Sequence, residues 1–174
     1  MTKTEMTKTG TARRKMTKSE RKLSKTFGIV KAVLMIYPFV VLFYLYANAS
    51  TAGLGFSELL QSDPIITVTF ITAMLQPFAA WLLTIVQRRV ESADYDSAVV
   101  TVLLIFVAEA LMENVMGMVG LGVLFWFMYK DMPFTFRACF KEADKGLIMK
   151  DATGALVLIA LGAICMFAMT RIGL

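Results

Sequence analysis

The sequence predicts an all-α integral membrane protein: a four-span helical bundle with a short amphipathic helix at the interface, or alternatively three full spans plus a short or re-entrant central hairpin. Three observations predict it. Hydrophobic residues make up 57% of the 174 positions and the mean hydropathy is +0.66, outside the range of soluble globular domains. Apolar stretches recur at about 20 residues, the length a helix needs to cross a hydrocarbon core of about 30 Å. Finally, nine of the 18 Lys and Arg precede Phe27, the charge asymmetry that keeps a first flank in the cytoplasm.

Residues 1–16 repeat a Met-Thr-Lys theme and contain no apolar period that could bury a face, so a disordered basic tail is expected ahead of a single membrane domain over 17–174. Thr17 and Glu20 fit a capping box, which places a helix start near Lys18. The first span covers about 27–47. Lys31 lies one turn in, where its stem can snorkel toward the headgroups, and Pro38 should bend the helix. The loop 48–63 has no Lys or Arg and carries Glu58 and Asp63, as an external loop should. Its Asn48-Ala49-Ser50 matches a short, common glycosylation pattern.

The second span, about 64–86, starts at Ser62 or Asp63 as N-cap with Pro64 in the first turn and closes on Arg88 and Arg89. Thr69, Thr72, Gln76 and Ala80 form a stripe that should face protein, with Pro77 adding a kink. The last span, about 152–170, should be capped by Asp151. Between them, 130–150 carries five basic residues. Phe136, Cys139, Phe140, Ala143 and Leu147 fall at helical spacing, which predicts an interfacial helix over about 134–147 with Arg137, Lys141 and Lys145 toward the headgroups.

The difficult stretch is 98–129. Its 32 residues are apolar except for Glu109, Glu113 and Asn114, and as one helix they would measure roughly 48 Å. As a single tilted span they place the basic segment 130–150 outside, against the positive-inside rule. As a hairpin bent near Gly117, Gly120 and Gly122 they return that segment to the cytoplasm, but each half is short for a crossing. On one continuous helix Glu109, Glu113, Gly117 and Gly120 would share a face, with Asn114, Gln76 and Thr72 as candidate partners.

An acid near the bilayer midplane costs about 2.5 to 3.5 kcal/mol if charged, so it carries its proton or has a partner. The residues therefore predict either an ion site or a polar contact with another subunit. Histidine is absent and Cys139 and Cys165 show no paired spacing, which argues against zinc and His-dependent chemistry. No catalytic residue, metal or cofactor is expected, and the protein is not expected to be an enzyme. The leading expectation is an accessory or partner subunit of a membrane transport or secretion assembly in the plasma membrane, N-terminus cytoplasmic. It would contact the bilayer and associate with itself or with another membrane subunit, and no nucleic-acid partner is expected. The alternative is an oligomeric proton- or cation-coupled transporter using Glu109 and Glu113.

Overall fold

The computed structural model describes residues 18–92, 94–131 and 145–172, and among them all regular structure is helical. The described residues form six helices: α1 (Lys18–Ala52), α2 (Phe56–Ser62), α3 (Pro64–Glu91), α4 (Tyr95–Leu111), α5 (Val115–Asp131) and α6 (Lys145–Ile172). Three of them, α1, α3 and α6, are long and apolar enough to cross a membrane. The outer face of α1 exposes Ile29, Met35, Ile36, Phe39, Val40 and Phe43, a surface matched to hydrocarbon rather than water. The tail 1–16 and most of the expected interfacial helix, including Arg137 and Lys141, lie outside the described residues.

Helix α1 begins at Lys18 and passes through Pro38 without a break, although the proline leaves the Leu34 carbonyl without its usual donor. Its last turns include Asn48, whose Nδ2 donates to the Tyr44 carbonyl at 2.9 Å. Lys31 uses its ammonium inside the protein: Nζ donates to Gln87 Oε1 of α3 at 2.7 Å. Gln87 Nε2 in turn donates to Ser24 Oγ and Glu91 Oε1, a polar knot that ties α1 to α3 at one end of the bundle. Helix α3 starts as its residues dictate, with Asp63 Oδ1 accepting from the Ile65 N–H at 2.9 Å and Pro64 in the first turn. The turn into α4 is closed by Arg89 Nη1 on Asp94 Oδ2 at 2.6 Å, and Asp94 also caps α4.

The central run is not one helix. It breaks at Met112–Asn114 into α4 and α5, so one continuous helix over 98–129 does not form, and the bend falls before Gly117, Gly120 and Gly122 rather than at them. The physical reason is a Schellman-type stop: Glu113 N–H bonds the Ala110 carbonyl, Asn114 N–H bonds the Glu109 carbonyl, and Glu113 lies in the left-handed region at φ 54°. Asn114 then opens α5, its carbonyl accepting from Met118 N–H at 2.9 Å. A second correction concerns α6, which begins at Lys145 and runs through Asp151 instead of starting at an Asp151 cap.

Close approaches fix the directions. Gly120 of α5 packs on Val30 of α1, Gly154 of α6 on Leu82 of α3, and Gly162 of α6 on Ala108, Leu111 and Met112 of α4. Chain direction therefore alternates: α1 rises, α3 descends, α4 rises to mid-height, α5 returns, and α6 rises. The start of α1, the α3–α4 turn and Lys130 share one end, called here the basal end, while α2 and the C-terminal turn of α6 share the other. The core between them is built from Phe27, Leu34, Leu82, Leu83, Ile105, Leu121, Leu124, Met128 and Leu158.

At Gly162 an added Cβ would lie 3.2 Å from the Ala108 carbonyl oxygen and 3.3 Å from Leu111 Cβ. Backbone cannot rotate away as a side-chain tip can, so Gly162→Leu is expected to pry α6 from α4 and cost about 1 to 3 kcal/mol. Gly28, with open space around its Cα, should accept leucine at little cost. Thermal unfolding of the two variants in detergent checks the contrast.

Candidate functional site

The tip of the α4–α5 hairpin lies at mid-height, between Tyr37 of α1 and the middle of α3. Two prolines sit at the same level, Pro38 in α1 and Pro77 in α3. Each removes one rung of its helix ladder. Thus the break between α4 and α5 and the missing rungs of α1 and α3 lie at one level, and the only fully buried carboxyl group among the described residues lies there.

Glu109 stands two residues before the end of α4 and is 0% exposed. Its Oε2 accepts from Asn114 Nδ2 at 2.7 Å and from Gln76 Nε2 at 3.1 Å. Gln76 is also 0% exposed, and Asn114 and Thr72 are buried. The fold back at Glu113 is what makes the Asn114 bond possible, because it returns the chain over the end of α4. The carboxylate also overlies the first turn of α5: a Cβ on Gly117 would meet Asn114 Nδ2 at 2.7 Å and Glu109 Cδ at 2.8 Å, with Oε2 closer still. Amide N–H groups are concentrated in that turn, which favours negative charge beside it.

Two polar atoms are left over. Glu109 Oε1 and Gln76 Oε1 are buried and have no hydrogen-bond partner among the described residues. Both are acceptors, and they belong to side chains already bonded to each other. Leaving such a group unsatisfied costs about 1 to 3 kcal/mol, and more when it is charged.

The second carboxylate goes elsewhere. Glu113 is exposed and lines a cavity of about 190 Å³ together with Tyr37, Thr69, Thr72, Asn114 and Cys165. Of the residues named from the sequence, then, Glu109, Asn114, Gln76 and Gly117 meet in one cluster. Thr72 and Glu113 line the cavity beside it, Gly120 packs on α1, and Gly122 faces open space. Sequence reasoning missed Cys165, Met166 and Met169 of α6, which also line the cavity. Their helix shows no polar stripe that could have flagged them.

Glutamate is an unusual occupant of a left-handed position, where a side chain costs roughly 1 to 2 kcal/mol and glycine nothing. Glu113→Gly is therefore expected to leave stability unchanged or raise it by up to about 1 kcal/mol, after the added chain entropy is set against the relief. Equilibrium unfolding against the parent reads the difference.

Comparison with family models, with curated proteins and with solved structures gives no match. The chemistry of the cluster therefore carries the functional argument alone. What it offers is a buried carboxyl–amide pair at the junction of two half-length helices, with one unpartnered acceptor oxygen on each side chain among the described residues.

Proposed function

We propose that this chain is a plasma-membrane protein with a cytoplasmic N-terminus that crosses the bilayer with α1, α3 and α6, dips into it with the α4–α5 hairpin, and couples transport to a proton or small monovalent cation bound at Glu109. The observation that carries the reading is the pair of donorless buried oxygens, Glu109 Oε1 and Gln76 Oε1. One proton on Glu109 Oε1 lets acid and amide close a two-bond ring, with an N–H donor in one direction and an O–H donor in the other. A small cation held by the two oxygens relieves the same deficit. Charge placement supports the topology, since Arg21, Lys22, Lys25, Arg88, Arg89 and Lys130 all belong to the basal end, while Arg171 is the only Lys or Arg at the other end among the described residues. Half-helices meeting at mid-membrane are also the arrangement by which coupling ions are bound in many transporters.

The test is flux. Purified protein in liposomes, with a pH or sodium gradient imposed in turn and an entrapped indicator for each ion, should show gradient-driven movement of one of them that Glu109→Gln abolishes. Parent liposomes that conduct neither ion above protein-free controls would reject transport.

A role as accessory subunit is the second reading, and one observation favours it. Between α1 and α5 lies an apolar groove of about 420 Å³ lined by Ile29, Val33, Met116, Val119, Val123 and Phe127, which could receive side chains of a partner's transmembrane helix. Isolation in mild detergent of a stoichiometric membrane partner, lost on Val119→Trp, would support it.

A further inference from the structure

Beyond the presence of a cation site, the surroundings of Glu109 are unequal in the two directions, and this gives the site a side. Toward the basal end, the face of α4 below Glu109 carries Ala108, Ile105, Val102 and Ala98, all 0% exposed. They belong to one packed apolar cluster with Phe27, Leu83, Val86, Leu121, Leu124 and Met128. This plug continues for about 15 Å along the helix axis. Its neighbouring polar group, Thr101, is itself buried and donates its hydroxyl to the Ser97 carbonyl at 2.8 Å.

Toward the α2 end polar groups stand among apolar ones such as Val68, Leu111 and Met169. The cavity of about 190 Å³ reaches Asn114, whose amide holds Glu109, and its wall includes Tyr37, Thr69, Thr72 and Glu113. The titratable groups on that wall are Tyr37 from α1, Glu113 from the hairpin tip and Cys165 from α6, and α3 contributes hydroxyls. Among the described residues no Lys or Arg lines it. Glu113 makes no ion pair among the described residues and stays at a backbone position that favours glycine.

We infer that the cavity is a cation vestibule opening toward the α2 end, in which Glu113 attracts a proton or small monovalent cation and Asn114 forms the passage to Glu109, the basal end being sealed in this conformation. The inference rests on the reading of Glu109 as a cation site, with the donorless Glu109 Oε1 and Gln76 Oε1 as the destination. Glu113 is then a positioning residue for the arriving ion, and Glu109 holds it. The conformation described is the one that loads from the α2 end.

The test uses the full chain with Cys139→Ser and Cys165→Ser, in sealed vesicles of known orientation, and membrane-impermeant thiol reagents applied to one side at a time. Ser57→Cys on α2 and Glu91→Cys at the end of α3 mark the two sides. Glu113→Cys and Thr69→Cys are expected to be modified from the Ser57 side and to lose modification from the Glu91 side, while Val102→Cys stays unmodified from both. At Thr69→Cys a cationic reagent should outrun an anionic one of the same size, and Glu113→Gln should remove that preference.

Labelling of the cavity positions from the Glu91 side, labelling of Val102→Cys, or no charge preference at Thr69→Cys would each overturn the vestibule. If Glu113→Cys does not fold, Thr69→Cys carries the sidedness test. The outcomes separate from those of the transport reading: one-sided labelling in a protein that moves no ion keeps the vestibule and removes transport. Ion flux with two-sided labelling does the reverse.

Discussion

Glu109→Gln should leave the protein at least as stable as the parent while abolishing gradient-driven flux. Glutamine keeps an oxygen for the Gln76 and Asn114 amides, and its own N–H group can reach the Gln76 oxygen that now has no donor. The variant imitates the protonated acid permanently. A satisfied hydrogen bond contributes about 0.5 to 1.5 kcal/mol, so apparent Tm in detergent should hold or rise by a few degrees. Glu109→Leu differs: it leaves the Gln76 and Asn114 amides buried without an acceptor, at about 1 to 3 kcal/mol each, and Tm should fall sharply. Heating aliquots and measuring the monodisperse fraction by size exclusion reads both. Equal destabilisation of the two variants would mean that the carboxylate is held as a charge by its surroundings, which sinks the ion-site reading.

The second large effect separates two glycines of one helix. At Gly117 a methyl group collides with the Asn114 amide and the Glu109 carboxyl. Both tips are buried and bonded to each other, so neither can give way without losing the bond. Gly117→Ala is expected to cost about 1 to 2 kcal/mol, the lost bond outweighing the gain in helix propensity. Five residues on, a Cβ at Gly122 meets nothing within 4 Å, and Gly122→Ala should stabilise by about 0.5 to 1 kcal/mol. Denaturant or thermal unfolding of the pair settles the matter by sign alone. Like signs would show that the cluster under Glu109 is loosely packed.

That contrast also shows how far the sequence could be read. The helices α1, α3 and α6 were legible because each couples an apolar run of span length to an unambiguous start or stop, such as Asp63-Pro64 before α3. The central run was not, because its stop is made of backbone bonds around a glutamate. A Schellman stop usually advertises itself with glycine at the left-handed position. Here the glycines follow the break by several residues, and they drew the expected bend toward themselves. Helix α5 runs back along α1, the chain direction of the hairpin alternative, in which Lys130 returns toward the start of α1. Glu109 and Gly117 do meet, as a shared helix face would have had them, yet they meet because the helix ends and folds over itself. The same break sends Glu113 to the cavity, a separation that no periodicity of 3.6 could have given.

The break at Met112–Asn114 has a consequence for how the chain is made. Insertion machinery samples hydrophobicity along the emerging chain, and 98–129 is apolar enough to be taken as a single crossing. Inserted so, it would carry Lys130 and everything after it to the opposite side and turn α6 upside down. Glu109, Glu113 and Asn114 interrupt that stretch at its centre, and the bond from Asn114 to Glu109 can form only once the chain has doubled back. The cluster at the hairpin tip thus also sets the direction in which α5 runs, and any variant that makes those three positions apolar is expected to favour one continuous helix over 98–129.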